Sequence, residues 1–303
     1  MNKGFVIAIF VAVIIVFFLL YGNLGLINPF QNVSFVPPPA PQTGGVPSTI
    51  SGNPTPAPIP SQNPSAPKYT NIPKGFAESD LSPYYEKITI SYVSPLTGAF
   101  GGSAGYSEVS ISAYNLGSGE KVDVTGWKVK SNKDSFIIPQ AIDVFPPTNP
   151  ENAVGDVRIQ SGERVRLFSS DSKTGYNFRL NQCTGFFKSS VPATPKSCPS
   201  LIQSDIATLS GQCQSYLYSL GSCQMPPSNP PVFYSDTQCY DVLAKINYQG
   251  CYEKNHADKN FLSNEWWLWL GKYGQPQINI LDPLHDRVLL FDGKGKLVDE
   301  YIY

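Results

Sequence analysis

Residues 286–299 read DRVLLFDGKGKLVD, and this stretch decides the fold class. Two short runs of strand-forming residues, 287–291 and 297–302, flank the polar turn 292–295. Apolar and β-branched residues in runs of five or six favour strands, and the glycines of the turn supply the positive φ angles that tight hairpins need. The stretch therefore predicts a β-hairpin.

Seven further runs of the same character lie upstream, each bounded by Gly, Pro, Asn or Ser. They are residues 87–93, 107–114, 127–131, 135–139, 164–168, 266–270 and 277–280. Nine short strands with frequent turn residues are typical of antiparallel β-sandwiches rather than α/β folds. The sequence therefore predicts a mainly β domain, an antiparallel β-sandwich, over residues 83–303.

Residues 174–263 interrupt this pattern and predict a helical insertion. Apolar residues recur at helical spacing over 204–220 and 238–247, with Asp236 placed to cap the start of the second helix. Gly250 lies shortly after the second helix, where a left-handed residue often ends a helix. We therefore expect two antiparallel helices inserted between the two groups of strands.

All six cysteines lie inside the predicted insertion, at positions 183, 198, 213, 223, 239 and 251. An even number of cysteines in a short exported region predicts disulfides, and the absence of closely spaced cysteine pairs argues against zinc. Cysteines at the two ends of one helix lie too far apart to bond, whereas antiparallel helices bring the start of one beside the end of the other. The predicted disulfides are therefore Cys213–Cys251, Cys223–Cys239 and Cys183–Cys198.

Five segments of the predicted strand regions carry a recurring order of motifs. They are 115–117 (NLG), 122–129 (VDVTGWKV), 136–139 (FIIP), 162–165 (GERV) and 286–299. Together these segments resemble the lamin-tail domain, an immunoglobulin-like β-sandwich, over roughly half of the predicted β domain. The resemblance implies a non-catalytic recognition or scaffolding module, because the family has no catalytic residues to carry over. The inserted segment of about ninety residues, 174–263, departs from the family.

The N-terminal residues 1–22 predict a cytoplasmic stub and a transmembrane signal anchor. Residues 5–20 are sixteen consecutive apolar residues, and uncharged neighbours extend the stretch to the ~20 residues that cross a bilayer. Lys3 is the only charge before this span, so the positive-inside rule places the N-terminus in the cytoplasm and the C-terminal domain outside. We therefore expect a single-pass cell-membrane protein that contacts the lipid bilayer through residues 5–22.

Two alternatives to the signal anchor remain open at this stage. A cleaved signal peptide has a shorter apolar core and a small-residue cleavage site, which residues 21–24 do not offer. The sequence around Lys3 and Phe5 resembles the processing site of type IV prepilins, although Ile9 stands where that family has Glu. The anchor is the favoured interpretation.

Residues 23–82 predict a disordered, proline-rich stalk. Thirteen prolines lie between residues 37 and 83, and Ser, Thr, Asn, Gln and Gly make up much of the rest. Such a composition buries too little apolar surface to offset chain entropy and favours extended polyproline II conformations. The stalk would hold the β domain away from the membrane. The overall layout resembles that of membrane-anchored proteins of small-genome bacteria.

Composition excludes several classes of function. The chain has 303 residues, 22 Lys and Arg against 23 Asp and Glu, and a net charge of −1, so it lacks the basic field that binds nucleic acid. Charged residues amount to 15%, below the roughly 25% of ordinary soluble domains, in agreement with an apolar span and a polar linker. We expect no nucleic-acid partner.

No motif predicts catalysis, a metal or a cofactor. The segment 101–105 (GGSAG) fits the nucleophile-elbow pattern but precedes a strand rather than a helix. The only histidines, His256 and His285, are too few for a zinc site or a persuasive triad, and no calcium-binding loop occurs. The protein is therefore predicted not to be an enzyme.

The aromatic run 265–270 (EWWLWL) is the one feature that suggests a ligand site. Strand alternation places Trp266 and Leu268 on one face and Trp267 and Trp269 on the other. The second pair either forms an exposed platform for a sugar or a protein, or lies buried under the insertion. Burial is the favoured alternative.

The expected function is that of a membrane-anchored, exported, non-catalytic interaction or scaffolding protein of the cell envelope. Its partner would be an envelope protein or a glycan, and the insertion is the first candidate for the recognition surface. The alternative is a carbohydrate-binding or adhesive module on a stalk that uses Trp267 and Trp269. A minor pilin-like subunit is a third possibility and is less favoured.

Overall fold

A computed structural model describes residue 69 and residues 71–97, 105–187, 192–271 and 280–303. The predicted membrane span, residues 5–22, and the stalk up to residue 68 lie outside the described residues. So do residues 101–104 of the nucleophile-elbow pattern and most of the predicted strand 277–280. Within the described ranges, no helix has the length and apolar character needed to cross a membrane.

The described chain is mainly β, as predicted. Its strands are β1 (Ile88–Thr97), β2 (Tyr106–Ala113), β3 (Val122–Asp123), β4 (Lys128–Lys130), β5 (Ser135–Ile137), β6 (Ala141–Ile142), β7 (Val154–Gly155), β8 (Arg158–Ile159), β9 (Arg164–Asp171), β10 (Phe178–Asn181), β11 (Leu262–Gly271), β12 (Arg287–Phe291) and β13 (Leu297–Ile302). Its α-helices are α1 (Gln203–Ile206), α2 (Gly211–Ser219), α3 (Thr237–Leu243) and α4 (Tyr248–Asn255). Short 3-10 helices occupy Glu78–Asp80, Pro150–Ala153 and Thr184–Phe186.

The hairpin predicted from residues 286–299 is confirmed as β12 and β13. The backbone N–H of Asp292 donates to the carbonyl of Lys296 (2.9 Å), which closes the turn. The Asp292 carboxylate also accepts the N–H groups of Lys294 (2.8 Å) and Lys296 (3.0 Å). Gly295 has a φ of +76°, so a residue without a Cβ is favoured there.

The strands form a seven-stranded sheet, a four-stranded sheet and a two-stranded ribbon. Their orders are β1-β2-β9-β11-β10-β6-β7, β13-β12-β4-β5 and β3-β8. The prediction of a wholly antiparallel arrangement is wrong, because β11 runs parallel to β9 and β6 runs parallel to β10. β11 lies between β9 and β10, which point in opposite directions. A strand placed between two such neighbours must run parallel to one of them.

The main hydrophobic core draws side chains from both larger sheets. Ile111 of β2, Leu167 of β9 and Trp266 of β11 belong to the seven-stranded sheet, whereas Val129 of β4 and Leu290 of β12 belong to the four-stranded sheet. All of these side chains are buried. Burying apolar side chains from two sheets in one cluster stabilises their packing against each other.

The helical insertion is shorter than the predicted 174–263. Residues 178–181 form β10, which pairs with β11 and β6 inside the seven-stranded sheet. The described irregular and helical residues are 182–187 and 192–261, and we call the whole segment 182–261 the insertion. It connects two antiparallel neighbours, and a hydrogen bond from Gln182 N–H to Phe261 O (3.0 Å) closes its base.

The predicted stalk is also too long at its C-terminal end. Leu81 is buried in a small apolar cluster, and Ile72 and Phe76 pack against it. Arg287 donates to the carbonyl of Lys74 (2.7 Å), and its guanidinium lies 5.7 Å from the Phe76 ring centroid. Three apolar side chains scattered among polar ones give no periodic signal, so the sequence pattern did not reveal this packing.

One contact between β1 and β13 predicts a pH-dependent stability. The Asp299 carboxylate accepts the N–H of Ile90 (2.6 Å), and burial raises the pKa of Asp299 above its ordinary value. A raised folded-state pKa means that the stabilisation is complete below pH 4 and is lost as the pH rises through the folded pKa. Asp299→Asn keeps an accepting oxygen without the charge. We therefore expect it to raise the melting temperature at pH 7–8 and to have little effect near pH 4.

Thermal unfolding followed by circular dichroism between pH 4 and pH 8 measures this difference. The control is Asp134→Asn, which changes an exposed carboxylate elsewhere in the β domain. A variant at position 299 that is less stable than the wild type at pH 7 would show that the ionised form is the favoured one.

Candidate functional site

The insertion contains a cleft of about 1010 Å³. Its buried lining includes Ile206 and Leu217, which also belong to the hydrophobic core of the insertion. Exposed apolar side chains, those of Leu201, Ile202 and Tyr218, extend this lining to the surface. Known ligand pockets of roughly 300–1,000 Å³ are lined mostly by apolar side chains, and the cleft lies at the upper end of that range.

Polar caps set where the helices around the cleft begin. The predicted helix 204–220 is divided into α1 and α2, because the Ser210 hydroxyl accepts the Cys213 N–H (3.2 Å) and starts a new helix. The predicted cap at Asp236 is confirmed, since its carboxylate accepts the Cys239 N–H (3.0 Å). The Ser210 hydroxyl also donates to Asp236 (2.6 Å), so the starts of α2 and α3 lie side by side.

The second predicted helix, 238–247, also divides in two. It ends at Leu243, and α4 begins after Asn247, whose side chain accepts the N–H of Gly250 (2.9 Å). The expectation that Gly250 follows a helix in the left-handed conformation is therefore wrong. Gly250 is the third residue of α4.

All six cysteines form disulfides, as predicted, but the three predicted pairs Cys213–Cys251, Cys223–Cys239 and Cys183–Cys198 are wrong. The bonds are Cys183–Cys251, Cys198–Cys223 and Cys213–Cys239. Cys213 and Cys239 each lie in the first turn of a helix, and the paired caps bring those turns together. Cys251 belongs to the additional helix α4, which leads back to the base of the insertion beside Cys183.

Charged groups of both signs lie among the residues that line the cleft. Lys254 of α4 forms an ion pair with Asp205 of α1, and the hydrogen bond from Lys254 lowers the pKa of the Asp205 carboxyl. Glu253 accepts a hydrogen bond from Gln249 (2.9 Å), and Lys245 is an exposed cation. The site therefore combines an apolar lining with a few charges, an arrangement that suits an apolar ligand carrying one or two polar groups.

Tyr248 fastens the insertion to the β-sheet. Its hydroxyl donates to the carbonyl of Phe145 (2.6 Å) and accepts a hydrogen bond from the Asn181 side chain (3.1 Å). Its ring stacks on Phe187 with the ring centroids 4.3 Å apart. Burial raises the pKa of the Tyr248 hydroxyl above its ordinary value, so the hydroxyl stays protonated and keeps donating at physiological pH.

Trp267 and Trp269 are buried, with 3% and 5% of their surface exposed. They belong to a second apolar cluster with Phe168 and Phe178, and Phe187 and Tyr248 of the insertion pack against the same cluster. The Arg166 guanidinium lies 4.9 Å from the Trp267 ring centroid. Since both rings are covered, the sheet offers no tryptophan platform on which a sugar could stack.

The remaining candidate residues do not converge on a site. His256 is exposed and its ring stacks on Tyr252 at 4.8 Å, while His285 lies in a loop of the β domain. Among the described residues, one group has metal-ligating atoms close together: Cys213, Asp236 and Cys239. Both of its sulfur atoms are already bonded to each other, so they are not available as thiolate ligands.

Sequence patterns placed the candidate recognition surface on the insertion but did not indicate that Leu201, Ile202 and Tyr218 line a cleft. Leu201 and Ile202 lie in a segment without periodicity, and the Cys198–Cys223 bond joins this segment to residues 220–222 on the other side of the lining. The exposed pair of aliphatic residues directly after Cys198-Pro199-Ser200 was the available signal.

The chain matches none of the protein-family models with which it was compared, and no curated protein or solved structure shows a significant match to it. The similarity of five segments to the lamin-tail domain therefore rests on those segments alone.

Proposed function

We propose that this protein is an exported interaction module and that its insertion binds an apolar segment of a cell-envelope protein. The observation that carries the proposal is the cleft of about 1010 Å³, in which exposed aliphatic side chains continue a buried apolar lining. Exposed aliphatic and aromatic side chains next to a preformed cavity cost solvation free energy that a partner recovers on binding. Recognition without catalysis is the function implied by the lamin-tail resemblance.

The proposed location is the outer side of a cell membrane. Three disulfides within residues 183–251 are typical of proteins that fold in an oxidising compartment. The apolar run of residues 5–20 supports a membrane anchor, and the proline-rich residues 23–68 support a spacer. We propose a single-pass protein with a cytoplasmic N-terminus and an extracytoplasmic β domain.

The proposed fold of that domain is a lamin-tail-like, immunoglobulin-like sandwich. Two larger sheets that contribute side chains to one core support it. The parallel pair β9 and β11 departs from a wholly antiparallel sandwich. The insertion begins directly after β10, the strand that lies between β9 and β11 in the sequence. The proposal places the recognition element on the segment that departs most from the family.

A protein ligand is favoured over a glycan by the chemistry of the lining. Sugar sites combine aromatic platforms with many polar groups, whereas the exposed cleft residues Leu201 and Ile202 are aliphatic. Tyr218 is the exposed aromatic residue of the lining, and its hydroxyl donates to Gln203 (2.5 Å). An apolar peptide segment with a polar group near Lys245 matches this lining.

The first test uses a fluorescent apolar anion, anilinonaphthalene sulfonate, as a probe of the cleft. Ile202 is 56% exposed, so Ile202→Asp adds a charge to the cleft with little effect on the core. We expect the substitution to weaken dye binding about tenfold, which corresponds to ~1.4 kcal/mol. The matched control is Leu284→Asp at an 84% exposed site in the β domain.

A photoreactive amino acid at position 202 of the full-length protein in its native membrane then identifies the partner. We expect a protein to be captured through an apolar segment, and Tyr218→Asp to abolish that capture. Equal dye binding by the two aspartate variants, or recovery of glycan without protein, would contradict the proposal.

A further inference from the structure

The Cys198–Cys223 disulfide forms part of the lining of the cleft. Both cysteines line it, together with residues 199–202 that follow the first and residues 220–222 that precede the second. The bond therefore joins two chain segments that border the same space. Breaking this bond would allow the two segments to separate and would change the shape of the proposed binding site.

This disulfide is also the most accessible of the three. Cys183, Cys213 and Cys239 are fully buried, so the other two bonds each have at least one inaccessible partner. Cys198 and Cys223 are both only half-buried. Thiol–disulfide exchange needs a collinear approach of the attacking thiolate to a sulfur atom, so a reductant reaches Cys198–Cys223 first.

Gly185 lies against one side of the Cys198–Cys223 disulfide. A methyl group at Gly185 would lie 3.1 Å from Cys198 Sγ and closer still to Cys223 Sγ, so the backbone covers the disulfide on that side. Both cysteines also line the cleft. The cleft is therefore a route by which a reductant reaches the bond, and a ligand in the cleft would block that route.

Within the part of the chain that the structure describes, residues 195–201 form no helix or strand, and we call them the wall segment. A hydrogen bond from Cys198 N–H to Ser222 Oγ (3.2 Å) joins the wall segment to the residues that precede Cys223. Cys223 has a φ of +58°, a left-handed conformation that is unfavourable for a residue with a Cβ. Cleavage of the bond would free the wall segment and let Cys223 leave this conformation.

We infer that Cys198–Cys223 is a redox-sensitive bond that keeps the binding cleft closed on one side, and that cleft occupancy and reduction of the bond oppose each other. The inference rests on the proposed function for its binding half. In the chemical step, a thiolate of an external dithiol attacks one sulfur, the S–S bond breaks and the other sulfur leaves as a thiolate that takes a proton. The second thiol of the dithiol then displaces the first cysteine, so two electrons pass to the protein and the dithiol becomes a disulfide.

The experiment treats the full-length protein in detergent with increasing dithiothreitol and alkylates the free thiols for mass mapping. Trypsin cleavage after the exposed Lys196 reports on the wall segment, and anilinonaphthalene sulfonate reports on the cleft. We expect Cys198 and Cys223 to be alkylated at least tenfold faster than the other four cysteines. Cleavage after Lys196 should rise about tenfold and dye binding should fall by a similar factor, with both changes reversed on reoxidation.

The double variant Cys198→Ser and Cys223→Ser should be cleaved rapidly after Lys196 and bind the dye weakly without any reductant. Its far-ultraviolet circular dichroism should stay unchanged. In the wild type, saturating dye should slow the reduction of Cys198–Cys223 severalfold, since binding and reduction are reciprocally coupled. Simultaneous reduction of all three bonds, or cleavage after Lys196 that ignores the redox state, would overturn the inference. If the dye binds neither form while alkylation and cleavage follow the expected order, the proposed function fails and the redox-sensitive wall stands. Equal dye binding by both forms overturns the coupling alone.

Discussion

Replacing Trp267 with alanine is expected to lower the free energy of unfolding by about 3–5 kcal/mol, the range seen when buried aromatic residues are truncated. The ring is 3% exposed and packs edge-on against Phe168 at a centroid distance of 5.1 Å. Its indole N–H donates to Glu265 (3.0 Å), and the Arg166 guanidinium lies over its face. Truncation would leave a cavity and remove a partner from both charged groups.

The effect should extend to the attachment of the insertion. Phe178 contacts Trp269 at 5.3 Å and Phe187 at 5.3 Å, so the aromatic cluster is continuous from β11 into the insertion. A cavity at position 267 would remove the ring that packs against Trp269, the first residue of this series of contacts. We therefore expect faster amide hydrogen exchange in α4 of the variant, in addition to lower global stability.

Urea unfolding of the wild type and Trp267→Ala, monitored by circular dichroism, gives the difference in stability. The matched control is Phe233→Ala, an aromatic truncation at a 69% exposed position of the insertion, which should change stability by less than about 0.5 kcal/mol. If Trp267→Ala were as stable as the control and lost binding to a glycan, the ring would be a ligand platform after all.

Eight of the nine strands predicted from local patterns are present, because alternation and β-branched residues act within a single segment. The ninth, residues 277–280, lies mostly outside the described residues. The strands missed were short: β3, β6, β7 and β8 have two residues each and β10 has four. No periodic window detects two residues, so pairing across the sheet is what defines them.

Local patterns also could not predict the sheet order or the disulfide pairing, because both depend on contacts between segments that are far apart in the chain. The position of β11 between β9 and β10 depends on packing between segments about 90 residues apart in the chain. The predicted cysteine pairing fails for two reasons. The prediction placed the start of one helix beside the end of the other, whereas the starts of α2 and α3 lie side by side and Cys213 bonds to Cys239. The apolar pattern of residues 238–251 also predicts a single helix and its end, whereas Asn247 caps a new helix that carries Cys251.

Gly250 lies in the first turn of this new helix. We expect Gly250→Ala to destabilise the insertion by about 3 kcal/mol, at the upper end of ordinary overpacking costs. A methyl group there would lie 2.8 Å from both the Cα and the carbonyl carbon of Lys245, and closer still to the carbonyl oxygen. The obstacle is backbone on one side, and on the other side α4 is fixed by the Cys183–Cys251 bond. Neither side can yield by a simple rotamer change.

Gly211→Ala provides a matched control, because Gly211 also lies in the first turn of a helix of the insertion and a methyl group added there would meet no atom of another part of the chain within 4 Å. This change should leave stability unaltered or raise it by up to ~1 kcal/mol, since alanine lowers the entropy of the unfolded chain. Each substitution adds one methyl group to the wild type, so a comparison of the urea midpoints and the dye binding of the two variants isolates the contact with Lys245. Equal stability of the two would mean that Asn247 does not start a helix at this point. The side of the cleft that Gly250 and Lys254 line would then have a different backbone conformation.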